Sequence, residues 1–92
     1  MGKIIKEFTC VPTVLVYNTE DYKIYGADFD RLKYPDLKLN KFGNISLLGN
    51  IHELGIGVVY KVKAEEKKKN SHGYGYHVIH IQRERPRTVM AQ

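Results

Sequence analysis

"VVYKVKAEEKKKNSHGYGYHVIHIQRE", residues 58–84, reads as two strands around a charged loop. In 58–65 the alternation is clean, with Val58, Tyr60, Val62 and Ala64 on one face and Lys61, Lys63 and Glu65 on the other. Successive side chains of a strand point to opposite sides of the sheet, so a period of two predicts a half-buried strand. "EKKKNSHG" (66–73), charged and ended by glycine, reads as a hairpin loop. "YGYHVIHIQRE" (74–84) is the returning strand, closed by Arg85-Pro86.

Working back from this hairpin, the rest of the chain is also strand-like. "TCVPTVLVY" (9–17) is rich in β-branched residues, and Pro12 marks an edge position or a bulge. The polar "NTED" (18–21) suits a tight turn, and "YKIYGADF" (22–29) is the return strand, so residues 9–29 form a hairpin. "DRLKYPDLKLNKFG" (30–43) is a long crossing loop with a turn at Tyr34-Pro35-Asp36, because proline pushes the residue before it out of helical geometry. "NISLLGNI" (44–51) is the third strand, with Gly49 at a bulge or close backbone contact. "HELGIG" (52–57) is a short connection.

Five strands and no helical stripe define an all-β chain that must hide its sheet edges. Closure into a small barrel does so. The five-stranded oligonucleotide/oligosaccharide-binding (OB) barrel has this strand count, and the long first and fourth hairpins favour it over an SH3-like barrel. The expected organisation is a lead-in over 1–8, an OB-like barrel over 9–86, and a tail or linker start over 87–92.

Several chemistries find no support. Cys10 is the single cysteine, so neither an internal disulfide nor a cysteine-based zinc site can form. His77 and His80 are three apart and diverge on a strand, while His52 and His72 come from other segments; no metal site is expected. No phosphate-binding glycine loop and no Gly-x-Ser-x-Gly elbow are present, so the chain carries no catalytic motif and implies no cofactor. No run approaches the ~20 apolar residues of a membrane span, and the start lacks a signal-peptide core, which points to a cytoplasmic setting.

Binding is the chemistry that remains. The net charge is +5, and eight of the fifteen lysines and arginines fall in residues 61–92. An anionic partner is favoured, nucleic acid being the commonest. If Ile79 and Ile81 face the core, Tyr74, Tyr76, Val78 and His80 lie on the outer face beside Lys61 and Lys63. Rings for stacking bases next to cations for phosphates are the two ingredients of single-strand binding. The candidate nucleic-acid residues are Lys61, Lys63, Lys67, Lys68, Lys69, Tyr74, Tyr76, His80 and Arg83. Tyrosines that only cover apolar edges, and lysines that only guard a sheet edge, are the competing explanation.

Several segments together resemble the N-terminal OB domain of RecD-like DNA helicases, related to the alpha subunit of exodeoxyribonuclease V. "TVLVYNTEDYKIY" is similar to that family's opening hairpin at Tyr17, Asn18, Glu20 and Tyr22. "GNISLLGNIHELGIGVVYKVKAEE" is similar to its middle part at Gly49, Gly57 and Tyr60, and "HGYGYHVIHIQRERP" to its last strand at Tyr74, Gly75 and Pro86. Ala64 and Asp21 stand where the family commonly has glycine, and 30–42 has no counterpart. The resemblance implies one domain of a longer ATP-dependent DNA helicase whose motor lies beyond Arg85-Pro86. This barrel would then be an accessory that contacts single-stranded DNA or docks on the motor domains. The other readings are a protein-interaction module without nucleic-acid contact and a stand-alone RNA-binding barrel.

Overall fold

A computed structural model describes residues 2–69 and 73–84. It contains five strands, β1 (Ile5–Asn18), β2 (Lys23–Asp28), β3 (Ile45–Gly49), β4 (Tyr60–Lys69) and β5 (Gly73–Arg83), and no helix among the described residues. The strands close into a barrel in the order β1-β2-β3-β5-β4, with β4 returning to β1. Every pairing is antiparallel except β3–β5, which is parallel. A parallel neighbour cannot come from a hairpin, so successive hairpins alone could not have made this closure. The fold is the expected small OB-like barrel.

The first hairpin turns where the polar run predicts. The Thr19 hydroxyl accepts from the Tyr22 N–H at 3.0 Å, and the Thr19 N–H donates to the Tyr22 carbonyl at 2.8 Å. The strands run longer than read at two places, while β2, β3 and the start of β4 are trimmed by one or two residues. β1 begins at Ile5, inside the stretch read as lead-in, because Ile5–Cys10 already has a partner in Tyr60–Glu65 of β4. β4 and β5 remain paired out to Lys69 and Gly73, so most of the expected hairpin loop is ladder.

The alternation of β4 is borne out: Tyr60, Val62 and Ala64 are buried, and Lys61 and Lys63 are exposed. They meet Phe8, Cys10, Tyr25, Ala27, Ile45, Leu47 and Tyr76 in the core. Two connections complete it. The β3–β4 connection contributes buried Ile51 and Leu54, its backbone tied to the barrel by Leu54 N–H to the Tyr25 hydroxyl at 2.9 Å. The crossing segment between β2 and β3 contributes buried Leu37, with Phe29, Tyr34 and Leu39 packed against the core.

The outer-face placement of Tyr76 is corrected. Between Lys63 and Ala64 the register of β5 slips, so that Lys63 pairs with His80 but Ala64 pairs with Val78. Ile79 is the extra residue of this β-bulge, and a single extra residue reverses which face each later side chain takes. Ile81 does pack against the core, as expected, but Ile79 is 53% exposed and Tyr76 and Val78 turn inward. Tyr76 is fully buried, with its ring edge-on to Phe8 at 5.4 Å.

Candidate nucleic-acid interface

The bulge divides the expected residues into two groups. Lys61, Lys63, His80 and Arg83 are all exposed and lie together on the β4–β5 ladder on one side of it. Lys61 faces Gln82 across the strands and Lys63 faces His80. Shallow hollows run beside them, one of about 220 Å³ that also takes in Glu7 and one of about 270 Å³ that takes in Glu84. Two carboxylates therefore sit among these cations. His80 has a long contact of 3.5 Å to the Gln82 amide oxygen. Among the described residues no three His, Cys, Asp or Glu side chains converge as a metal site would require; His72 lies outside those residues.

The second group lies toward the hairpin end. Lys67 is exposed opposite Gly75, and Lys68 and Lys69 lie on the β4 backbone opposite Tyr74 and Gly73; the side chains of these two lie outside the described residues. At ~3.4 Å per residue, Lys67 is roughly 14 Å along the strand from Lys63. Tyr74 is half-buried, with the Lys38 ammonium 5.6 Å from its ring centroid. Tyr76 belongs to neither group. Its hydroxyl accepts the Lys38 N–H at 2.8 Å and donates to Glu66 Oε1 at 3.2 Å, and burial raises its pKa to about 12.

A third surface was missed from the sequence. On the outside of β1, β2 and β3 runs an apolar groove of about 410 Å³. Val14, Val16 and Tyr17 of β1, Ile24 of β2 and Leu48 of β3 line it, and Phe42 stands at its rim. Gly26 forms part of its floor: a Cβ there would lie 3.0 Å from the Val14 side chain and 3.4 Å from the Asn44 amide nitrogen. Tyr17 is 51% exposed and Phe42 73%, and the Lys41 ammonium lies 5.4 Å from the Phe42 ring centroid. Tyr17 also makes an edge-on pair with Tyr22 at 6.3 Å, across the mouth of the first turn.

The loop holding Phe42 is built by one buried polar residue. Asn40 donates its side-chain amide to Asn44 Oδ1 at 2.8 Å and to the Ser46 hydroxyl at 2.9 Å. Its own Oδ1 accepts the Phe42 N–H at 2.8 Å and the Asn44 N–H at 3.3 Å. Gly43 turns the loop with φ of +90°, a region a side chain would strain, and Arg31 donates to its carbonyl. Asn40 further bridges Gly73 of β5, so the groove's rim is joined to the base of the basic hairpin.

In OB barrels the ligand face is that of strands two and three, framed by the first and fourth hairpin loops. Here that face carries the groove, with Tyr17 and Tyr22 at one hairpin and Lys67 and Tyr74 at the other. The only sequence signals for the groove were the run without charge between Glu7 and Glu20 and the lone Phe42 in a turn-rich loop. No family model, no curated protein and no solved structure matches the chain.

Proposed function

We propose that this barrel binds single-stranded nucleic acid, DNA in the first place, as an accessory domain of a RecD-like DNA-processing helicase. One observation carries the reading: an apolar groove with exposed Tyr17 and Phe42 at its walls lies on the β1–β2–β3 face, and its rim is bridged to the base of the lysine-bearing hairpin. Exposed rings accept the faces of bases whatever their sequence, and neighbouring lysines meet the phosphates. Phe42 and Tyr17 are the stacking residues in this reading, with Lys41 and Lys67 as phosphate contacts. The net charge of +5 favours the same class of partner. Lys61, Lys63, His80 and Arg83 form a second basic surface, tempered by Glu7 and Glu84.

The test is fluorescence anisotropy of a labelled single-stranded oligonucleotide titrated with the chain at several salt concentrations. The expected complex is micromolar or weaker near physiological salt and loosens as salt rises, because few phosphates are neutralised. Phe42→Ala weakens it by roughly 1–3 kcal/mol, the worth of one stacked base. No binding at low salt, or a Phe42→Ala variant that binds like the parent, overturns this placement.

A further inference from the structure

We propose that the edge of β1 from Val14 to Asn18 is a pairing surface for a second copy of this chain, joined antiparallel about a two-fold axis. The proposal does not rest on the nucleic-acid reading, although Val14, Val16 and Tyr17 also line the groove. β1 gives one edge to β4 over Ile5–Cys10 and the opposite edge to β2 over Val11–Asn18. Each half is thereby left with one unladdered edge. For the first half the crossing segment covers it: the Thr9 N–H donates to the Tyr34 hydroxyl at 3.2 Å, and Lys6 pairs with Asp36 at 2.6 Å. For the second half, the Gly57 N–H on the Pro12 carbonyl at 2.8 Å is the last backbone hydrogen bond on that edge among the described residues.

Past Pro12 the strand is exposed on both faces. Val14 is 49% exposed, Leu15 38%, Val16 58% and Tyr17 51%, and no charged residue stands between Glu7 and Glu20. Of the devices that ordinarily protect such an edge, this one carries Pro12 and two bulges, but no charge between Glu7 and Glu20. Bulges at Thr13 and Val16 bend the ribbon but leave it apolar.

The occupant follows from chemistry. A strand that ladders here must itself be uncharged and apolar and offer an unladdered edge, and the same stretch of a second copy meets all three conditions. Lys6 lies on the first half of β1 and Lys23 opens β2 beside Asn18, but no lysine or arginine falls within Val14–Asn18; the other described basic residues lie on the lead-in, the crossing segment, β4 and β5. Two-fold antiparallel pairing keeps the sum of partner numbers constant. With Val16 on the axis, Leu15 meets Tyr17 of the second copy and Val14 meets Asn18. Isologous contacts of this kind are the commonest way a chain self-associates.

Sedimentation equilibrium of the 92-residue chain, from low micromolar to near-millimolar concentration, is the test. The mass rises toward twice that of the monomer. Val16→Lys, with its fold checked by circular dichroism, raises the dimer dissociation constant roughly tenfold or more, since a lysine would be buried in the seam. Lys61→Glu leaves it unchanged. With dissolved oxygen as the added oxidant, Val16→Cys forms a disulfide-linked dimer, because paired antiparallel Cα atoms ~4.5–5.5 Å apart are within disulfide reach. A chain that stays monomeric throughout, or a dimer indifferent to Val16→Lys, overturns the proposal. A dimer that Val16→Cys fails to cross-link overturns the two-fold at Val16.

Discussion

Removing only the hydroxyl of Tyr76 separates a core role for this residue from a base-stacking one. Tyr76→Phe keeps the buried ring and its edge-on contact with Phe8 but deletes two hydrogen bonds, to the Lys38 N–H and to the Glu66 carboxylate. Glu66 is half-exposed and its carboxylate can turn to water, whereas the part-buried Lys38 N–H loses its partner. The expected cost is about 1–3 kcal/mol, the usual range for orphaning a partly buried donor. In a domain of this size each kcal/mol lowers the melting temperature by roughly 4–8 °C, so Tyr76→Phe should melt at least several degrees early. Tyr76→Ala removes the ring as well, at about 3–5 kcal/mol. That is a large share of the roughly 5–14 kcal/mol a chain of this length holds in total. Paired thermal melts and oligonucleotide anisotropy, taken where the variants are still folded, form the assay. The expected pattern is lowered stability with unchanged affinity. A Tyr76→Phe variant that melts like the parent, or an alanine variant that loses binding while keeping its melting temperature, would refute the core assignment.

Three further expectations follow from the same geometry. Burial raises the Tyr76 phenol from 10.0 to about 12, so the folded state holds that proton more tightly than the unfolded chain does; the associated stability is intact below pH 10 and is lost as pH climbs toward 12, which alkaline melts will show. The buried Cys10 thiol is raised from 9.0 to about 12 by desolvation, so a thiol reagent at neutral pH should label it only as fast as the chain opens, and at once in denaturant. Gly73→Ala should destabilise the chain by about 1–3 kcal/mol in a urea titration, because φ is +84° and the new Cβ would lie 3.1 Å from the Asn40 Cα with only backbone to yield.

Much of the barrel could be read from the sequence because its signals are local. The alternation from Val58 to Ala64 encodes a half-buried strand directly, and the polar run at Asn18–Asp21 encodes a turn. What escaped depends on partners far along the chain. The phase of β5 is set by a bulge at Ile79 that exists only against Lys63 and Ala64, and nothing within "YGYHVIHI" announces it. The start of β1 was missed because "IKEF" becomes a strand only when β4 is beside it. The groove is harder still to foresee. It is assembled from three strands and a loop whose shape rests on the hydrogen bonds of Asn40, an unremarkable asparagine until Asn44, Ser46 and Gly73 surround it.

The parallel seam between β3 and β5 has a kinetic consequence. It is laddered only at Leu47 with Tyr76 and Leu48 with His77, whereas β4 and β5 remain paired along their whole length. The β1–β2–β3 meander and the β4–β5 hairpin are each built from neighbouring segments, so both can form early. Joining them means bringing Ile5 to Glu65 and Leu47 to Tyr76, which closes long loops before any reward arrives. Folding should therefore be limited by the docking of two preformed halves and run on the millisecond-to-second scale of barrels rich in distant pairings. The same short seam is where the native barrel should part first. The β3 amide that points at β5 should then exchange faster than those along the β4–β5 ladder, as two halves held by unequal joints separate at the weaker one.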